Sequence, residues 1–369
     1  MNKNSLILPF VAVFIIAIFT SACGGGSSEP NTNGGDPPAS GILNADLSGS
    51  LFFTEGGEAW VMSMATGKYT RISNTNWPYQ KDRFPRGGLS SFNALPIDYD
   101  GSEFVVVAKD CKDDPERSCI VVQDENGSYN SEQFEVFGKA SRAILSRDRQ
   151  YIALFRRSIS TNSQLEIRNR SGALISYSKL DRRDFTWLPD GSIIYGVGRS
   201  LYFTSPYSAQ VEYVLTLSEG LQGTVRQIAV SPDATRLFFT MEGPRKGGSF
   251  EYIKPYIMNI DGTNIRLLAT TPDNSPLVGD ASTWSADGQW ILLREGGAAS
   301  AGSANPGFNG YFYAVPTEDM GQIFTLSSIS TERSPEVRLL RRYSFSDNPA
   351  NLDGSITDRS FTNDVAWLP

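Results

Sequence analysis

The 369-residue sequence contains no histidine. Without an imidazole there is no Ser-His-Asp or Cys-His nucleophile, no His-ligated zinc or iron centre and no histidine general base. Carboxylate, tyrosine, lysine or arginine chemistry stays open, as does no chemistry at all. Positive charge is short too: Lys and Arg number 33 against 40 for Asp and Glu, a net charge of −7. A nucleic-acid binder that works by counterion release needs a basic face, and nothing supplies a general one, so no nucleic-acid partner is expected. After residue 22 no stretch repeats its apolar residues every 3.6 positions, which argues against amphipathic helices. Cysteine is rare, with three in the chain. What remains, 40% hydrophobic and 11% aromatic, is ordinary composition for a folded protein.

The first 22 residues read as an export signal. Lys3 gives a positive start, Leu6 to Phe19 form an apolar run broken by Pro9, and small residues follow. A spanning helix needs roughly 20 apolar residues, so a permanent membrane span is the weaker reading of this run. Thr20-Ser21-Ala22-Cys23 resembles the lipobox of bacterial lipoproteins, with Thr20 where that family usually has Leu, Val or Ile. The resemblance implies that Cys23 is lipidated and becomes the mature N-terminus. Gly24 in the next position implies outer-membrane sorting. The alternative is plain cleavage after Ala22, leaving a thiol. Residues 23–45 form a Gly/Ser/Pro-rich tether with too few apolar side chains to fold.

Cys111 and Cys119 flank Asp113-Asp114-Pro115, a stretch of turn residues. In an exported chain two cysteines so close in sequence are expected to pair as a disulfide that staples one loop, a reduced pair being the rival.

Residues 46–369 repeat a short phrase: an apolar run, a turn built on Asp-Gly or a relative, another apolar run. It appears as IDYDGSEFVVVA from 97, LSRDRQYIALF from 145, WLPDGSIIYGV from 187, VSPDATRLFFT from 230 and WSADGQWILL from 284, with a degenerate DLSGSLFFT from 46. The turn residues Gly49, Gly101, Arg149, Gly191, Ala234 and Gly288 recur every 42 to 54 residues. Such a period, filled with β-branched and aromatic runs, predicts propeller blades. The first copy starts after its turn, and the terminal Asp364-Val365-Ala366-Trp367-Leu368-Pro369 matches the strand that precedes one. The expected fold is therefore all-β: a six-bladed propeller of four-stranded antiparallel blades, the ring closed by the C-terminal strand pairing with blade one.

Trp187-Leu188-Pro189-Asp190-Gly191, Ser231-Pro232-Asp233 and Trp284-Ser285-Ala286-Asp287-Gly288 resemble the Trp-Ser-Pro-Asp-Gly repeats of the TolB-like propeller family, over about residues 46–369. The family's α/β domain has no counterpart here, since the tether runs straight into the first repeat.

Sharper motifs fail. Asp98, Asp148, Asp190, Asp233 and Asp287 recur at the turns, where Asp caps a tight turn with its own side chain, so they read as architecture and not as a metal or acid-base set. Gly196-Val197-Gly198 lacks the third glycine of a nucleotide fingerprint, and Gly67-Lys68 is followed by Tyr69 where a P-loop needs Ser or Thr. Asp124, Asn126, Ser128 and Glu132 have Gly127 misplaced for a calcium loop. No catalytic residue, metal ligand or cofactor is assigned.

Loop length carries more. Connections from first to second and third to fourth strands emerge on one face of a propeller and read as tight. Those from second to third, and from one blade to the next, read as long: 74–91, 109–119, 242–254, 295–310 and part of 327–363. Within them Trp77, Tyr79, Arg83 and Arg86, with Arg245 and Tyr252, interleave aromatic and basic side chains of the kind that dominate binding hot spots. The alternative is that they merely lid the ring. The expectation is a monomeric, non-enzymatic envelope protein, held to the membrane by its lipid alone, that engages an envelope protein or cell-wall component through these residues. The rival is a carboxylate-dependent glycan or lactone hydrolase with its site at the central channel. Cys23→Ala is expected to move the protein from the membrane to the soluble fraction of lysed cells, and continued sedimentation with membranes would refute the lipid anchor.

Overall fold

The computed structural model describes residues 43–55, 58–71, 95–99, 103–109, 117–124, 129–157, 164–179, 185–205, 211–246, 249–250, 252–272, 277–295, 311–318, 321–343, 356–357 and 365–368. The export signal and most of the tether lie outside them.

The repeats fold as antiparallel four-stranded meanders. β1 (Ser50–Glu55), β2 (Glu58–Ser63) and β3 (Tyr69–Arg71) come first. The second sheet is β4 (Leu95–Tyr99), β5 (Glu103–Lys109), β6 (Arg117–Asp124) and β7 (Tyr129–Phe137). The third is β8 (Lys139–Leu145), β9 (Tyr151–Arg157), β10 (Gln164–Asn169) and β11 (Leu174–Lys179). The fourth is β12 (Phe185–Trp187), β13 (Ile193–Val197), β14 (Ser200–Thr204) and β15 (Val211–Thr216). In the fifth, β16 (Thr224–Val230) and β17 (Arg236–Glu242) lead into a ribbon of β18 (Arg245–Lys246) and β19 (Ser249–Phe250), before β20 (Ile253–Asn259) and β21 (Arg266–Leu267). After β22 (Ala269–Thr270), the sixth holds β23 (Leu277–Trp284), β24 (Trp290–Glu295), β25 (Tyr311–Pro316) and, past β26 (Phe324–Thr325), β27 (Arg338–Leu339). The pair β28 (Arg342–Tyr343) and β29 (Ile356–Thr357) precedes β30 (Val365–Leu368), which pairs antiparallel with β1.

This is an all-β propeller fold with antiparallel four-stranded blades. Five of the four-stranded sheets are drawn from one stretch of chain each, whereas the sheet of β3, β2, β1 and β30 is composite and takes its innermost strand from the far end. The apolar clusters lie between sheets. Leu188, Ile194 and Leu201 of the fourth pack with Val225, Leu237 and Phe239 of the fifth, and Trp284 and Tyr313 of the sixth join Phe238 of the fifth. Leu51, Phe53, Trp60 and Trp367 of the composite sheet bury against Leu292 and Phe312 of the sixth. Tryptophans at the ends of inner strands bind the preceding sheet: Trp187 Nε1 donates to the Ile144 carbonyl at 3.0 Å and Trp284 Nε1 to the Ala229 carbonyl at 3.1 Å.

The repeated turns are nearly identical. In three of them a serine hydroxyl donates to an aspartate two residues on (Ser146 to Asp148, Ser231 to Asp233, Ser285 to Asp287), and the same carboxylate accepts the backbone N–H of Gln150, Thr235 or Gln289. Asp190 caps its turn through Ser192. The residue after each aspartate is left-handed, with φ of 59° at Arg149, 84° at Gly191, 57° at Ala234 and 70° at Gly288. Asp98 departs from the expectation: it lies inside β4 opposite Val105, next to a register shift, and so is a strand residue.

One connection also departs from the tight pattern. The chain between β25 and β27, the sixth sheet's third and fourth strands, makes an excursion in which β26 pairs in parallel with β22 and Phe324 and Leu326 enter the core. It straps the sixth sheet to the fifth, and Arg236 and Arg266 both donate to the Thr317 carbonyl at its base.

Two predictions follow from the turns. A left-handed conformation costs an L-residue about 1 kcal/mol, so Gly288→Ala should lower stability by about that much and Ala234→Gly should raise it by a smaller amount, read from urea midpoints. The added Cβ at Gly288 meets nothing closer than 3.6 Å, so the effect isolates backbone strain. The Ser231 hydroxyl holds the Asp233 carboxyl down at about 2, from an ordinary 3.8. Its contribution is present above about pH 4 and is lost as pH falls towards 2. Asp233→Asn should therefore lower the melting temperature at neutral pH, with the gap to wild type closing below pH 4; an equal gap at every pH would contradict it.

Candidate functional site

The face carrying the connections between second and third strands, and between sheets, is not uniform. The chain from β3 to β4 spans residues 72–94 and that from β24 to β25 spans 296–310, while Gly138 alone joins β7 to β8 and Gly198 and Arg199 join β13 to β14. The long connections thus belong to the first, fifth and sixth sheets.

The described part of this region is built on the fifth sheet. β17 and β20 run on past their sheet into the β18–β19 ribbon, where Arg245 is opposite Phe250 and Lys246 opposite Ser249. The ribbon's base is closed by the Gly243 N–H donating to the Tyr252 carbonyl at 2.9 Å. Gly243 is demanded there, because a Cβ would come within 2.6 Å of the Tyr252 ring. Lys254 Nζ lies 5.0 Å from the centre of that ring, a cation–π arrangement that orients the tyrosine. Below, Tyr256 stacks on Phe239 with ring centres 5.6 Å apart, and burial pushes its phenol above the ordinary value.

Beside the ribbon, the inner strand β16 is bulged between Arg226 and Ala229, with Gln227 at φ 43°. Bulges re-aim side chains and gather near functional sites. Here the bulge accompanies an ion pair, Arg226 Nε to Glu242 at 2.7 Å, and a buried Thr240 hydroxyl that has no hydrogen-bond partner. The inner strands β4, β8 and β23 carry comparable register shifts. On β8 the residue after the shift is Arg142, whose guanidinium lies 5.3 Å from the Phe185 ring of the neighbouring sheet.

Of the residues singled out from sequence, Arg245 and Tyr252 share this one ribbon. Cys119 is buried on β6 opposite Ala108. Cys23, Trp77, Tyr79, Arg83, Arg86 and Cys111 lie outside the described residues. Sequence reading missed the Arg226–Glu242 pair and the bulges, for which no spacing signal exists. The aspartates a hydrolase would draw on, Asp148, Asp190, Asp233 and Asp287, are engaged in their own turns. Among the described residues no three His, Cys, Asp or Glu side chains are grouped to hold a metal ion.

No protein-family model matches the chain, and no curated protein does. Solved structures similar to it include TolB from Acinetobacter baumannii, 18% identical over 60% of this chain and 52% of that one, with a TM-score of 0.42. The chain thus spans about half the length of that protein. A putative TolB from Agrobacterium tumefaciens is 12% identical over 73% of this chain and 86% of that one, with a TM-score of 0.46. Hydrazine synthase from Kuenenia stuttgartiensis is 12% identical over 74% of this chain and 78% of that one, with a TM-score of 0.44. At such identities the likeness is one of fold.

Proposed function

We propose that the protein is a lipid-anchored cell-envelope propeller that binds an envelope protein or cell-wall component through its loop-bearing face. In this reading the composite sheet is a sixth blade that closes the ring. Cys23 carries the lipid at the outer membrane, and Cys111 is joined to Cys119 across the β5–β6 hairpin. The observation that carries the reading is the β18–β19 ribbon. It is a structured arm extended beyond its sheet, bearing Arg245, Lys246 and Phe250, with Tyr252 fixed at its foot by Gly243 and Lys254. A rigid scaffold that presents aromatic and basic residues on such an arm is suited to a partner of acidic or peptide character. The hydrolase reading asks for a set of free acids at the channel, and the recurrent aspartates do not provide one.

Capture of the protein from crosslinked cells, beside a variant with Trp77, Arg83 and Arg86 changed to Ala, tests the reading. A specific envelope partner recovered with the wild type and lost with the variant is expected. An identical set of captured molecules from both would overturn the assigned face.

A further inference from the structure

The outer edges of the sheets fall into two groups. The outermost strands β3, β21 and β27, of the first, fifth and sixth sheets, are 3, 2 and 2 residues long. Short edge strands are one way in which proteins prevent unwanted pairing. The outermost strands β7, β11 and β15, of the three consecutive sheets between them, are 9, 6 and 6 residues long. The two of these whose side chains are described throughout most of their length are also apolar and exposed. Leu174, Ile175 and Tyr177 on β11 are 48%, 40% and 51% exposed, and Val211, Tyr213 and Val214 on β15 are 41%, 52% and 42% exposed. Residues of both parities are exposed, so these strands are open on both faces as well as along one edge. Among the described residues nothing pairs with either outer edge.

From this we propose that β11 and β15 form the interface of a two-fold homodimer in which each strand pairs antiparallel with its own copy. Half-exposed, the six side chains leave on the order of 500 Å² of apolar surface, at the upper end of the largest patch a monomer carries. A single added peptide strand would cover one edge only. A second copy covers both, because β11 and β15 hold the same position in neighbouring sheets that pack together through Ile144, Phe155, Phe185 and Trp187. With the backbone edges included, two copies remove roughly 1,200 Å² or more, the size a specific interface needs.

The charge pattern permits the pairing. An antiparallel two-fold pair sets one residue opposite its own copy, and the others follow from it. With Tyr213 or Val214 of β15 on the axis, Glu212 falls opposite Val214 or Thr216 and never opposite another Glu212. With Ser176 of β11 on the axis, Ile175 falls opposite Tyr177, an aromatic and β-branched pair of the favourable kind. Like charges meet in neither register. The dimer replaces the expected monomer and leaves the loop-bearing face of each copy available.

Sedimentation of the full-length protein, extracted from membranes in detergent, tests the inference at low-micromolar and tens-of-micromolar concentration. The wild type is expected to carry the mass of two chains. Tyr177→Lys combined with Tyr213→Lys should raise the dimer dissociation constant at least about tenfold, since a lysine on each axis-proximal edge opposes like charge and blocks strand addition. Both side chains are more than half exposed, so the thermal melt of the variant's monomer should match that of diluted wild type. A wild type of single-chain mass throughout, or a dimer indifferent to the two lysines, would overturn the proposal. So would a monomer that floats with phosphatidylethanolamine/phosphatidylglycerol vesicles after Cys23→Ala, since the strands would then meet lipid and not a second copy.

Discussion

The pairing of β30 with β1 ties the two ends of the described chain. Leu51 lies opposite Trp367, the Trp367 indole donates to the Ser48 carbonyl at 2.8 Å across 319 residues of sequence, and the Trp367 N–H reaches the Thr283 hydroxyl at 3.4 Å. Asn44 adds a second tie, donating to the Arg341 carbonyl at 2.8 Å and accepting from its N–H at 2.9 Å. Closing a loop of that length costs about 5 kcal/mol of chain entropy on the logarithmic scaling. The cost is met by burial: Phe53, Trp60, Phe312 and Trp367 share one cluster that does not exist until both ends arrive. This sheet is therefore the last to be completed and the one on which its neighbours' packing depends.

Between sheets the structure relies on a few repeated devices, which explains how repeats of weak similarity can build equivalent units. An inner-strand tryptophan donates backwards to the preceding sheet, and a Ser-Asp pair satisfies the turn that feeds the second strand. Neither device fixes the length of the connections on the opposite face or the length of the outermost strand. Those are free to diverge, and here they do. Long connections gather on the first, fifth and sixth sheets, and long exposed edges on the second, third and fourth. The molecule thus has two surfaces of different character: a polar-aromatic ribbon on one side and apolar strand edges on the other.

Much of the fold was legible because turn chemistry is local. Arg149 and Ala234 were placed at left-handed turn positions although neither is glycine, since the residues around them repeat the phrase, and both have positive φ. The strands expected at 226–230, 237–241 and 255–260 sit inside β16, β17 and β20. Asp98 was misplaced by two residues because the phrase at 97–101 offers two aspartates. The strap through β26 was illegible because parallel pairing between two residues of different repeats leaves no periodic trace. Within the candidate site, Arg245 and Tyr252 were found from composition. The Arg226–Glu242 pair depends on register across β16 and β17, which a bulge alters without changing the sequence pattern.

Native-state hydrogen exchange of the terminal strand is the most direct measurement of the central claim, that the composite sheet holds the scaffold together. The account predicts that the amides of Val365–Leu368, four residues from a chain end by strand alone, exchange as slowly as those of β1 and only through global unfolding. Rapid exchange of β30, as in an ordinary frayed terminus, with β1 and the sixth sheet still protected, would contradict it.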